Sequence, residues 1–167
     1  GLVLKFLITI IIAMQIMCVA TAKQEVSRYI APLANEIVVI VPEEKMVING
    51  PYGDEVEFCD NNSGYFCVEH PVFWLAIPKN IQTLKEEDEW KHLDSEYKLL
   101  AKYENSKFKR FNSKAVYIIK GSNKSMGDMY FAYTVEQGVI YRESNKSIPF
   151  GTLILDGKYG FGAMIKD

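Results

Sequence analysis

The stretch from Ala115 to Met164, AVYIIKGSNKSMGDMYFAYTVEQGVIYRESNKSIPFGTLILDGKYGFGAM, decides the fold. Val, Ile, Tyr and Phe crowd into short runs at Ala115 to Lys120, Met129 to Glu136, Val139 to Arg142, Thr152 to Leu155 and Tyr159 to Met164. These residue types suit a pleated, half-buried surface. Turns rich in Gly, Asn and Ser separate the runs, and no helical period lies between them, so the stretch predicts an antiparallel meander. Asp156-Gly157 is its strongest hairpin signal, because a type I′ turn needs two residues that accept positive φ. Gln137-Gly138 is a weaker one. Ser-Asn-Lys-Ser occurs at Ser122–Ser125 and again at Ser144–Ser147. Four polar turn residues recur easily, so the chain is read without an internal repeat.

Upstream the same chemistry continues. Glu36 to Val41 (EIVVIV) is a β-branched run between Asn35 and Pro42, too short for a typical helix, and predicts a buried strand. Lys45 to Ile48 predicts another, ended by turn residues from Asn49 to Asp54. Phe73 to Ile77 is an apolar run fenced by Pro71 and Pro78, while Lys23 to Pro32 reads as an irregular lead-in. One segment changes period. Thr83-Leu84-Lys85-Glu86 has the form of a capping box. Trp90, Leu93, Tyr97 and Leu100 then recur at intervals of three, four and three, which predicts one helix from Leu84 to Tyr103. The expected fold class is mainly β (α+β): an antiparallel meander forming a curved sheet or open barrel, with one amphipathic helix packed on it.

Totals bound what such a chain does. Its 167 residues are 49% apolar and 24% charged, an ordinary globular composition. Lys5 is the one charge in the first 22 residues; an apolar run from Phe6 to Met17 and then Val19-Ala20-Thr21-Ala22 follow it. That order predicts a signal peptide over residues 1–22, cleaved between Ala22 and Lys23, and a single β-rich domain over 23–167. An uncleaved anchor is the rival reading. Phe6 to Ala22 is 17 residues with Gln15 and Thr21 inside it, at the lower limit for a span. Lipidation of Cys18 is disfavoured because Met17, not a small residue, precedes it. The expected location is secreted or periplasmic, with no stable membrane span after cleavage. Net charge is −2, or −3 once Lys5 leaves, which provides no general footprint for nucleic acid.

Cys59 and Cys67 then remain, flanking Asp60-Asn61-Asn62-Ser63-Gly64-Tyr65-Phe66. The Asn-Asn-Ser-Gly centre is turn chemistry between two strand-like segments, Val56 to Cys59 and Tyr65 to His70. Facing strands bring Cα atoms within disulfide range, so a disulfide is expected. Zinc would need about four ligands, and His70 and His92 are the available imidazoles to join two thiols; no metal and no cofactor are expected.

Catalytic signatures are missing. Phosphate-cradling loops, His-Glu-x-x-His and Gly-x-Ser-x-Gly do not occur. Glu69-His70 resembles a carboxylate-oriented base, but neighbours on a strand point to opposite faces. Glu86 to Glu89, with Lys98 and Lys102, read as charges that complement the dipole of the expected helix, and Lys107, Lys109, Arg110 and Lys114 as loop charges beyond it. Phe108 and Phe111 read as core anchors between these lysines. Asn61, Asn123 and Asn145 each head a glycosylation acceptor pattern. These features point to a small binding module acting on a protein partner, of the inhibitor or immunity type, rather than to an enzyme. Tyr65, Phe66, Asn61 and Asn62 in the disulfide loop are the candidate contact residues. The alternatives are a small-ligand carrier with a barrel pocket, or a small hydrolase with a dispersed site at Glu69 and His70.

Overall fold

Residues 26–104, 113–145 and 151–165, which the computed structural model describes, form twelve strands, two short 3-10 turns and no α-helix. Strands β1 (Ser27–Ala31), β2 (Glu36–Val41), β3 (Met46–Asn49) and β4 (Tyr52–Glu55) step outward to one edge of a large sheet. Strands β5 (Tyr65–Val68) and β6 (Leu75–Pro78) pair separately as a hairpin. Strands β7 (Glu89–His92), β8 (Ser95–Glu104), β9 (Ala115–Asn123), β10 (Gly127–Thr134), β11 (Gly138–Ser144) and β12 (Thr152–Leu155) step back from the opposite edge. The ten-stranded order is β4-β3-β2-β1-β12-β11-β10-β9-β8-β7, antiparallel throughout. The two meanders meet where β1 pairs with β12, through Tyr29 opposite Leu155 and Ile30 opposite Ile154. The sheet does not close, and β4 and β7 remain its edges.

One face of this sheet is covered by the chain from Phe73 to Ile77, every residue of which is buried. Phe73 packs on Tyr29 at 5.2 Å and on Phe131 at 6.3 Å; Trp74 packs on Tyr97 at 5.9 Å. Trp74 lies against the sheet because Gly121 has no side chain: a Cβ there would come within 2.9 Å of the indole ring. The fully buried Arg142 of β11 donates to the Val72 carbonyl and, at 3.4 Å, to that of Gly151. Burial lowers the guanidinium to about 10.

The expected helix from Leu84 to Tyr103 does not form; β7, a two-residue turn and β8 take its place. Burial from Ser95 has period two: Ser95, Tyr97 and Leu99 are buried, whereas Leu93 is 72% exposed in the turn. Trp90 and Tyr97 do meet, but as a cross-strand pair with rings stacked at 5.6 Å. Leu100 falls at a register shift between Leu99 and Ala101. One inserted residue moves the apolar phase, and this bulge made a two-residue period look like a helical one. The capping-box residues serve other bonds. Thr83 Oγ1 donates to the Asn80 carbonyl at 2.8 Å, and Glu86 Oε1 accepts the Lys102 N–H at 2.9 Å.

Two further expectations change. The lead-in contains β1, whose Tyr29 is fully buried; polar Ser27 and Arg28 hide its alternation. Tyr159 to Met164 is not a strand, and Asp156-Gly157 makes no hairpin. The Asp156 N–H instead donates to Arg28 O at 2.8 Å, and its carboxylate pairs with Arg28 Nε at 3.2 Å. The weaker signal is the one used: Gly138, at φ 74°, closes the β10–β11 hairpin. The expected charge patches become ion pairs, Lys98 with Glu87 and, across β7–β8, with Glu89, and Lys102 with Glu104 along β8. The leader and Lys107 to Phe111 lie outside the described residues.

Candidate functional site

After β4 the chain runs past Val56, which is buried, to Phe58, which makes a single bridge to Val68 of β5. Cys59 N–H donates to Cys67 O at 3.2 Å, and the two cysteines are joined with their Cα atoms 5.0 Å apart. The expected hairpin is thereby reduced to one bridge and one bond; the full partner of β5 is β6. Inside the loop, Ser63 N–H donates to Asp60 O at 2.8 Å and Tyr65 N–H to Ser63 Oγ at 3.2 Å. Lys79 fastens the loop from outside. Its backbone N–H donates to Gly64 O at 2.9 Å and its Nζ to Asn61 O at 2.6 Å, with Nζ 5.2 Å from the Phe66 ring.

Of the four candidate contact residues, Asn61 and Asn62 are exposed, while Tyr65 and Phe66 are half-buried. Tyr65 packs its ring 5.3 Å from that of His92. Both aromatics thus hold the loop in place. A cleft of about 560 Å³ lies beside them, between the segment Glu55–Asp60, strand β5 and the β7–β8 turn. Half-buried Phe58 lines it, buried Trp74 and Tyr97 lie beneath its floor, and the exposed carboxylates of Glu55, Glu57, Asp60 and Glu69 surround it. Trp74 Nε1 is buried without a hydrogen-bond partner among the described residues. Burial raises the Tyr97 phenol above its ordinary range; a bond to Ser95 opposes this, and the charge of Glu69 adds to it.

The β7–β8 turn brings His92 and Leu93 to the cleft. His92 Nε2 stands 3.7 Å from Cys59 Sγ. Leu93 sits at φ 50°, the left-handed region that a side chain bearing Cβ disfavours. An exposed leucine held there, at the mouth of a cleft, is the kind of local strain found at binding sites.

Glu69 and His70 diverge. Glu69 faces the cleft, whereas His70 is buried with Nε2 3.0 Å from Asp54 Oδ2. The Val72 N–H donates to His70 Nδ1 at 3.2 Å, so Nδ1 accepts and Nε2 carries the proton to Asp54. Both ring nitrogens are occupied, which leaves His70 none for a substrate. A carrier pocket in a barrel mouth has no barrel to sit in, since the sheet is open. Among the glycosylation patterns, Asn123 is buried and bonded to Ser95, Ser125 and Met126.

The sequence marks His92 only as a candidate imidazole, and it places neither His92 nor Leu93 at the cleft because both fall inside the expected helix. The signal that finds them is the alternation of Ser95, Tyr97 and Leu99, which sets a strand start just after a two-residue Leu93-Asp94 turn. The chain matches no protein-family model, no curated protein and no solved structure.

Proposed function

We propose that this protein is a non-catalytic binding module of a secreted or periplasmic compartment, and that it takes a basic segment of a partner protein into the disulfide cleft. The leader pattern and the Cys59–Cys67 disulfide support an oxidising compartment. The observation that carries the binding reading is the cleft itself: four exposed carboxylates around the apolar groups of Phe58 and Leu93. Carboxylates of one sign steer a cationic partner and fix its register. Half-buried Phe58 and exposed Leu93 supply apolar contact that charges at a rim do not. A loop held by a disulfide and by Lys79 is ordered before binding, which lowers the entropy lost on association. Asn61 and Asn62 extend the contact surface at the loop tip, and Tyr65 and Phe66 brace it.

The test is affinity capture from the extracytoplasmic proteins of the source, with the wild type and the double variant Glu57→Lys/Glu69→Lys. A partner held through the cleft binds the variant about tenfold or more weakly and elutes in about 0.5 M salt, where the screening length falls to roughly 4 Å. Equal retention by both proteins, or turnover of a substrate without any retained partner, contradicts the proposal.

A further inference from the structure

Two sulfurs and an imidazole converge on one wall of the cleft. Cys59 Sγ, Cys67 Sγ and His92 Nε2 lie within 4.8 Å of one another, with 3.7 Å between Cys59 Sγ and His92 Nε2. A tetrahedral zinc ion, with Zn–S near 2.3 Å and Zn–N near 2.0–2.1 Å, holds a sulfur and a nitrogen about 3.6 Å apart. The sulfur–imidazole spacing therefore already suits a shared ion while the two sulfurs are still bonded. We propose that Cys59, Cys67 and His92 form a redox-gated site for a zinc-class divalent cation, closed as the disulfide and open as the dithiol. This site does not depend on the partner-binding reading.

Backbone structure keeps the three ligands together once the S–S bond is broken. Cys67 stays in β5, paired with Ala76 of β6, and the Cys59 N–H stays on the Cys67 carbonyl. The sulfurs then need only separate to about 3.8 Å, the S···S edge of a tetrahedral zinc site, which side-chain rotation provides. His92 closes β7, paired with Ser95, and Tyr65 packs on its ring. Its Nε2 is thus held toward the sulfurs. All three residues are half-buried and line an open cleft, so a reductant and an ion can both reach them. The surrounding carboxylates favour a cation. Among the described residues no further Asp, Glu or His ligand atom joins the group. Water therefore takes the fourth position, as in zinc sites with three protein ligands.

Opening the site requires a dithiol reductant. Its two thiols give two electrons and two protons to the Cys59–Cys67 bond, and it leaves as its own disulfide. Zinc then binds both sulfurs as thiolates and releases their two protons to solvent, so uptake weakens as pH falls.

The experiment uses purified protein carrying Cys18→Ser, so that Cys59 and Cys67 supply all the thiols. Co²⁺ is added to the oxidised and to the phosphine-reduced protein, followed by competition with Zn²⁺. The reduced form should take up one equivalent of Co²⁺, with tetrahedral d–d bands and thiolate charge-transfer absorption, and Zn²⁺ should displace it. The oxidised form should take up none. His92→Ala should weaken uptake by at least about tenfold, since losing even an outer-sphere partner of a ligand costs 10–100-fold. Disulfide formation by that variant, read by thiol titration, confirms that it folds. No uptake by the reduced protein, equal uptake by the oxidised protein, or unchanged affinity in His92→Ala overturns the proposal.

Discussion

Leu93 and His92 are adjacent, yet their backbones do different work. His92 ends β7 as a paired residue, while Leu93 opens the turn at φ 50° with its side chain in solvent. For an L-residue the left-handed conformation costs roughly 1–2 kcal/mol, most of which glycine avoids. Leu93→Gly should therefore raise stability by about 0.5–1 kcal/mol in urea unfolding, after allowance for the greater freedom of glycine in the unfolded chain. The same change should weaken partner binding, because an apolar contact at the cleft is lost. A destabilised Leu93→Gly with undiminished binding would show that the strain serves neither turn nor cleft. At this scale the disulfide was legible in the sequence. Two cysteines on either side of Asn-Asn-Ser-Gly leave few other geometries. The position of His92 beside it was not, since that neighbour is set by pairing of β7 with β8, and the cysteine spacing carries no trace of it.

Strand β8 is where element-level reading went astray. In a helix over Leu84 to Tyr103, Leu93 would face the core and Leu99 would not. In the sheet Leu99 is fully buried and Leu93 exposed. Leu99→Ala should accordingly cost about 2–5 kcal/mol, and Leu93→Ala no more than about 0.5 kcal/mol; chemical denaturation of the two variants measures both, and the reverse order would restore the helix. Strands with no irregularity were readable from their residues alone. Strands β2 and β12 begin and end as expected, at Glu36 to Val41 and at Thr152 to Leu155. Strand β8 was not, because the bulge at Leu100 breaks the alternation of its apolar residues. Turn chemistry misled in a similar way. Asp156-Gly157 has the better local sequence, but Asp156 is bonded to Arg28 across the β1–β12 pairing, a contact from the other end of the chain. Long-range pairing overrides a local turn preference of this size.

For the whole molecule, the pairing of the first described strand with the last means that the centre of the sheet forms only when both halves are present. Three of the four buried tyrosines, Tyr29, Tyr97 and Tyr133, report on that assembled core. Tyr29 of β1 bonds the Val139 carbonyl and the Phe161 N–H, Tyr133 of β10 bonds the Gly162 carbonyl, and Tyr97 of β8 lies under Trp74. Burial raises all three phenols well above the ordinary tyrosine value. A raised acid favours its neutral form in the folded state. Its contribution to stability is complete below about pH 10, where unfolded tyrosine is neutral, and is lost as pH rises toward the folded value. Tyrosinate absorbance should therefore show Tyr29, Tyr97 and Tyr133, at least, ionising later than exposed tyrosines and together with cooperative alkaline unfolding. Gradual ionisation of all three in the folded protein would contradict the packing described.

We propose that the sheet presents an acidic cleft, braced by a disulfide, to a protein partner. Hydrogen–deuterium exchange of the protein, free and bound to the partner it captures, tests this most directly. The cleft reading predicts slower exchange within residues 55–69 and 92–95, with the already protected amides of β1, β10 and β12 unchanged. Protection elsewhere on the sheet, with exchange in those two segments unaltered, would contradict it.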